Sequence, residues 1–336
     1  MDMFGNILHT WSANINYKKG YEWPFVKLLK NGDLLEIASK KMLVRMDWHS
    51  NIKWLKKISS HHYIDMDEND DIYTLLHNYE VAFWSIIPLP IGNEYVAILS
   101  PEGKIKREIP LYKIFKNEIP PDRLKKIAQW LISPKGFVTR IERGIKPPRD
   151  IFATPTDIFH SNCVEIIKRD INDVLKKGNV LICSRRLDLI GIFDVKEEKL
   201  VWTWGKGQLE GPHNSTILEN GNILIFDNGI RRKYSRVIEL NPQTEEIVWQ
   251  YLADPPESFY SYWGGGNQRL PNGNTLITDA NNGRVFEITK GGEIVWEFYN
   301  TEIDEKEKKR ATIYHMMRIT DMTNYPFLKD LENKPQ

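Results

Sequence analysis

Cysteine is scarce: Cys163 and Cys183 are the two in 336 residues. That excludes a disulfide scaffold and a zinc site built on thiolates. A single bridge between neighbouring strands and two reduced core thiols both stay open, the second being the commoner arrangement. Excess charge is lacking too, with 46 basic against 45 acidic residues. No global field draws in nucleic acid or an anionic membrane, so an anion site has to be local. No run of about 18 apolar residues occurs, which excludes a membrane-spanning helix. The first residues, Met1–His9, carry neither a basic segment nor an apolar stretch. As written the chain therefore reads as soluble and cytoplasmic; a longer native N-terminus carrying a signal would make it periplasmic or exported. No Gly-rich phosphate loop opens a helix and no Gly-x-Ser-x-Gly elbow is present. His61-His62 before Asp65, Asp67 and Glu68 reads as an acidic turn, because alternation sends adjacent side chains to opposite faces. No metal and no cofactor is expected.

What is present is repetition, which decides the fold before anything else. A turn leading into an apolar strand recurs five times, at Asn31-Gly32-Asp33, Asn69-Asp70-Asp71, Lys177-Gly178-Asn179, Asn220-Gly221-Asn222 and Asn272-Gly273-Asn274. Asn-Gly tolerates the positive φ that tight hairpins need. Each copy is followed by a second apolar strand and then a closing one, such as Leu200–Trp204, Ile247–Tyr251 and Ile294–Phe298. The closing pattern also occurs at Ile7–Trp11, which makes a sixth copy. The chain is thus expected to be all-β, a six-bladed β-propeller over residues 1–320. Its last blade would be closed by the N-terminal strand and an inner strand near Thr312–Thr320. A β-sandwich or solenoid is the lesser alternative; a solenoid would not need its sixth closing strand at the opposite end of the chain. Residues 117–158 break the period. Pro120-Pro121-Asp122 starts a helical pattern through Ile132, followed by a Pro-rich link. Residues 321–336 read as a tail.

Inner strands of a propeller start near its axis. Counting back seven residues from each turn gives Pro24, His62, His213 and Gly265; allowing for a longer hairpin in blade three, His160 takes that place. Three of eight histidines would then converge on one mouth. Arg185, Arg186, Asn228, Arg231 and Arg232 end the second strands of blades three and four. Imidazole with guanidinium makes an anion site. Gly264–Gly266, followed by Asn267 and Gln268, would keep blade five's side of the mouth open. The tryptophans of the closing strands read as packing between blades.

Phe159-His160-Ser161-Asn162, Ser184-Arg185, Gly211-Pro212-His213, Phe226-Asp227-Asn228-Gly229, Tyr234-Ser235-Arg236-Val237 and Gln268–Ile277 together resemble the arylsulfotransferase (aryl-sulfate sulfotransferase) propeller family. The resemblance runs from about Asp157 to Thr320 and, more weakly, over Ile7–Glu108. It implies transfer of a sulfuryl group from an aryl sulfate to a phenolic acceptor at the channel mouth, through a sulfohistidine and without a nucleotide sulfate donor. Catalytic positions would fall on His160, His213 and Arg232, and substrate-binding ones on His62, Asn162, Arg185, Asn228, Arg231, Asn267 and Gln268. Which of Arg231 and Arg232 matches the family arginine stays open. One departure stands out: where the family's nucleophilic histidine precedes Tyr-Ser, this chain has Glu257 and Ser258 before Phe259-Tyr260-Ser261. The alternative is a non-catalytic propeller that binds an aromatic or anionic ligand or a protein. The partners expected are a small aryl sulfate and a phenol, with no nucleic acid and no membrane.

Overall fold

A computed structural model describes residues 1–13, 15, 25–38, 41–84, 87–133, 155–304 and 308–328. Five four-stranded antiparallel sheets follow one another along the chain. Blade one is β1 (Phe25–Leu28), β2 (Leu34–Ala38), β3 (Met42–Met46) and β4 (Ile52–Lys56). Blade two is β5 (Ser60–Met66), β6 (Ile72–Trp84), β7 (Ile87–Leu99) and β8 (Ile105–Pro110). Blade three is β9 (Ser161–Ile166), β10 (Asn179–Ser184), β11 (Leu189–Asp194) and β12 (Lys199–Trp204). Blade four is β13 (Pro212–Ile217), β14 (Ile223–Asp227), β15 (Arg236–Leu240) and β16 (Ile247–Tyr251). Blade five is β17 (Gly266–Arg269), β18 (Thr275–Asp279), β19 (Arg284–Ile288) and β20 (Ile294–Tyr299).

The repeated turn works as its residue types dictate. Gly32, Gly221 and Gly273 sit at φ 86°, 84° and 87°. Each donates its N–H to the carbonyl three residues back. The preceding asparagine's Oδ1 accepts the N–H two residues on, at 3.0 Å in all three cases. This is the local bond that makes asparagine a turn residue. In blade two, Asp70 takes the same left-handed place at φ 61°.

Apolar cores lie between successive sheets. Leu181, Ile190 and Ile192 pack with Ile223, Ile225 and Ile238 between blades three and four. Phe226, Phe259, Ile277 and Phe286 fill the next wedge. The tryptophans of the closing strands reach across the gaps: Trp54 Nε1 donates to the Pro101 carbonyl and Trp249 Nε1 to that of Lys290, at 3.0 and 2.9 Å. The insertion after blade two begins with α1 (Leu111–Phe115) and α2 (Pro121–Ile132). Phe115 and Ile127 add to the core that blades two and three share. The Pro-rich link falls mostly on 134–154, outside the described residues.

The propeller has five blades, which corrects the expectation of six. Ile7–Trp11 and Thr312–Thr320 adopt no strand, and the short strands Ile303–Asp304 and Lys309–Arg310 before Thr312 form a two-stranded sheet of their own. A ladder needs an adjacent strand edge, and here each segment meets side chains instead. Residues 2–6 fold back as a turn whose Met3 carbonyl accepts Trp296 Nε1 at 3.0 Å. Trp11 and Ala13 pack on Leu34, Val44 and Met46 of blade one. Ile313 and Met316 pack on Leu270, Leu276 and Val285 of blade five. An irregular seam therefore closes the space between blades five and one. Cys163 and Cys183 are cross-strand neighbours, buried and unbridged.

Candidate functional site

The start of each inner strand carries the site because the ladder is interrupted there. In blade four, Pro212 pairs with Asp227 and Asn214 with Phe226, so His213 is bulged out of register. In blade three, Ser161 pairs with Ser184 and Cys163 with Cys183, which leaves Asn162 in that role. His62 and Tyr63 form the interruption in blade two. A bulge re-aims a side chain, and these aim toward the hub.

His62, Asn162, His213 and Gly265 line one narrow hub cavity with Phe25, Tyr63, Asn214, Tyr314 and His315. It has room for little more than a water molecule. His62 Nδ1 and the Tyr314 hydroxyl are hydrogen-bonded at 2.7 Å. The His213 ring lies 6.0 Å from His62 and 5.9 Å from Tyr314, centroid to centroid. Asn162 Nδ2 donates to the Pro212 carbonyl at 3.1 Å, tying blade three to blade four.

Register moves His160 from its expected place: Asn162 is the residue equivalent to His213, and His160 stands two residues earlier, where blade four has Gly211. Its ring still reaches the cluster, 5.3 Å from that of His62. His160 Nδ1 is 2.6 Å from Asp157 Oδ2, and Arg186 Nε is 3.4 Å from the same oxygen. Burial holds the His160 pKa below its usual value; the Asp157 carboxylate opposes this, while Arg185 and Arg186 add to it. Neutral imidazole is therefore the favoured form at pH 7. Burial, helped by Lys27, takes His315 down to about 4. His62 and His160 both hold left-handed backbone, at φ 62° and 46°. Such backbone in a non-glycine residue persists only where the surrounding structure over-determines it.

The basic and amide candidates separate. Arg185 stays near the cluster, its N–H donating to the His160 carbonyl at 3.1 Å. Its guanidinium lies 5.3 Å from the centre of the Tyr262 ring. Arg232 is committed to Asp227 at 2.9 Å and to the Tyr234 carbonyl. Arg231 pairs on the surface with Asp188 and Glu210. Asn228 holds the Ser261 and Gly264 carbonyls through Nδ2, at 2.6 and 2.8 Å. Asn267 ties blade five to Asn214, and Gln268 clamps the backbone of Arg318. All five of these side chains shape or brace the propeller rather than line the cavity. Glu257 and Ser258 are exposed.

Sequence reasoning did not single out Asp157 or Tyr314. Asp157 had a signal, its spacing of three residues from His160. Tyr314 had only its adjacency to His315, in a segment expected to form a strand.

No described helix is long and apolar enough to cross a membrane. No curated protein sequence matches the chain. Among solved structures it is similar to a protein of unknown function from Bacteroides caccae, at 14% identity and TM-score 0.49, covering 84% of this chain and 82% of that one. A virginiamycin B lyase from Staphylococcus aureus matches at 10% identity and TM-score 0.46, covering 88% and 76%. Hydrazine synthase from Kuenenia stuttgartiensis matches at 10% and 0.47, covering 85% and 68%. The profile described as arylsulfotransferase (ASST) matches residues 26–301. That span takes in all five blades, and the chain belongs to the arylsulfotransferase family.

Proposed function

We propose that the hub transfers a sulfuryl group from an aryl sulfate to a phenol. The observation that carries this is the meeting of His62, His213 and Tyr314 around one cavity, with His160 held beside them by Asp157. In the transfer, the bond from sulfur to the donor oxygen breaks and one to the acceptor oxygen forms. The acceptor's phenolic proton passes to His160 and returns to the departing phenolate. With Nδ1 engaged by Asp157, the acid–base atom is Nε2. Charge spread over the sulfuryl oxygens meets preorganised donors from His213, Asn162 and the one proton of the His62–Tyr314 pair that their shared hydrogen bond leaves over. The exposed rings of Tyr262 and Trp263, next to Arg185, supply an aromatic face for the part of the substrate that the narrow cavity cannot hold.

This reading does not use the family's nucleophile position, since exposed Glu257 would repel an incoming sulfate. A binding module is the second reading, favoured by the small volume of the cavity. Incubation with p-nitrophenyl sulfate and a phenol separates the two. Release of p-nitrophenolate, reduced roughly 10²–10⁴-fold in His160→Ala, supports transfer. Asp157→Asn should lower the rate and also move the acid limb of the pH–rate profile to lower pH, because the lost carboxylate had been raising the His160 pKa. Ligand binding without any release over a panel of aryl sulfates would sink the enzymatic reading.

A further inference from the structure

Behind the hub, blade two brings together a second cluster that the sulfuryl chemistry does not use. His61 lies on β5, His77 on β6 and Glu94 on β7. The ladders fix them: His61 pairs with Leu75 across β5–β6, and His77 pairs directly with Glu94 across β6–β7. One ligand atom from each lies within 4.8 Å of the others. His61 Nε2 is 3.8 Å from Glu94 Oε1. Glu94 is fully buried; its Oε2 accepts the Ser161 N–H at 2.8 Å, while Oε1 has no hydrogen-bond partner among the described residues.

We propose that His61, His77 and Glu94 bind a divalent first-row transition ion of the Zn²⁺ type. Two imidazoles and one carboxylate are a borderline donor set that suits Zn²⁺ and disfavours Mg²⁺ and Ca²⁺, which take oxygen ligands. Ligand atoms around tetrahedral zinc stand about 3.4 Å apart, so the cluster has to draw in from its present spread to hold an ion. Oε1 of Glu94 would gain the partner it lacks, while the Ser161 N–H holds Oε2, an outer-sphere contact of the kind that orients metal ligands. His61 and His62 are neighbours that part ways, their rings 5.0 Å apart at 88°, one facing this cluster and the other the hub. Alternation rules out that adjacent pair as a joint ligand set, but it does not reveal partners supplied by the next two strands.

The test uses the full chain stripped with EDTA and needs no substrate, so its outcome is independent of sulfuryl transfer. Zn²⁺ added in calorimetry should bind with about one equivalent per chain and raise the melting temperature, whereas Mg²⁺ should do neither. Co²⁺ should give the visible bands of a low-symmetry site. His77→Gln, the mildest change because His77 is half-buried, should weaken Zn²⁺ binding by more than the roughly ten- to hundredfold that loss of an outer partner costs. Glu94→Gln should do the same, while His49→Ala, at an exposed histidine, should leave binding unchanged. Absence of Zn²⁺ binding, or equal affinity in His77→Gln, overturns the proposal. Affinity lost only in His49→Ala or in Cys163→Ser would place the ion elsewhere and overturn it too.

Discussion

Blade five has two flanks, and they are closed by different means. Toward blade four, Phe226, Phe259, Ile277 and Phe286 interlock between two complete ladders, with ring centroids of neighbouring aromatics 5.5–5.6 Å apart. Toward blade one, Ile313 and Met316 cover Leu270, Leu276 and Val285 from a segment without a ladder. Side chains supply the backbone's partners there. Gln268 grips the carbonyl and N–H of Arg318, and Thr278 Oγ1 accepts the Met316 N–H at 3.1 Å. The first flank is strong because burial and backbone pairing reinforce each other. The second rests on burial and a few polar grips, yet it delivers Tyr314 and His315 to the hub.

The contrast can be broken from either side. Phe226→Ala empties the better-packed flank and should cost about 3–5 kcal/mol in urea unfolding, the range for deleting a buried aromatic ring. A cost below about 1 kcal/mol would mean that the interlocked rings do not hold that wedge. Next in size is a pH effect on the seam. The folded pKa of His315, about 4, lies below the unfolded value near 6.5. The unfolded chain therefore takes up a proton that the folded one refuses. Stability is fully present above pH 6.5 and is lost as the pH falls toward 4. Between pH 7 and 5 the loss from this residue should be on the order of 2 kcal/mol. His315→Gln should flatten the dependence by that amount, leaving the shares of His77, which burial also lowers to about 4, and of His160, which burial lowers as well. Smallest is Gln268→Ala, expected to cost about 1 kcal/mol globally. Its clearer signature would be faster amide exchange confined to residues 313–318. Equal exchange in the variant and the parent chain would show that the seam is held by its apolar contacts alone.

Much of the fold was legible because its signals are local. Each Asn-Gly turn carries its own explanation in one positive φ and one asparagine bond, with no need of the rest of the molecule. The hub histidines were legible through the same periodicity, but only to within the length of a hairpin. Lengthening blade three's first hairpin concealed whether His160 or Asn162 is the bulged residue, and the ladder gives that place to Asn162. Arg231 and Arg232 looked alike as loop cations. Asp188, Glu210 and Asp227, all from neighbouring strands and turns, decide that both are braces. The count of blades failed at the seam for a related reason. A strand-like run such as Ile7–Trp11 becomes a strand only when another edge lies beside it.

From its sequence alone this chain was bound to be a β-propeller, since turn chemistry and alternation act over a few residues and repeat; the likeness to the arylsulfotransferases lay in its motifs, from Phe159-His160-Ser161-Asn162 to Gln268–Ile277. Only the tertiary structure set five ladders rather than six, brought Asp157 and Tyr314 to the histidines, and put Glu94 between His61 and His77. Those outcomes depend on which strand edges and which side chains from distant parts of the chain come into contact, and no local pattern of residues encodes that.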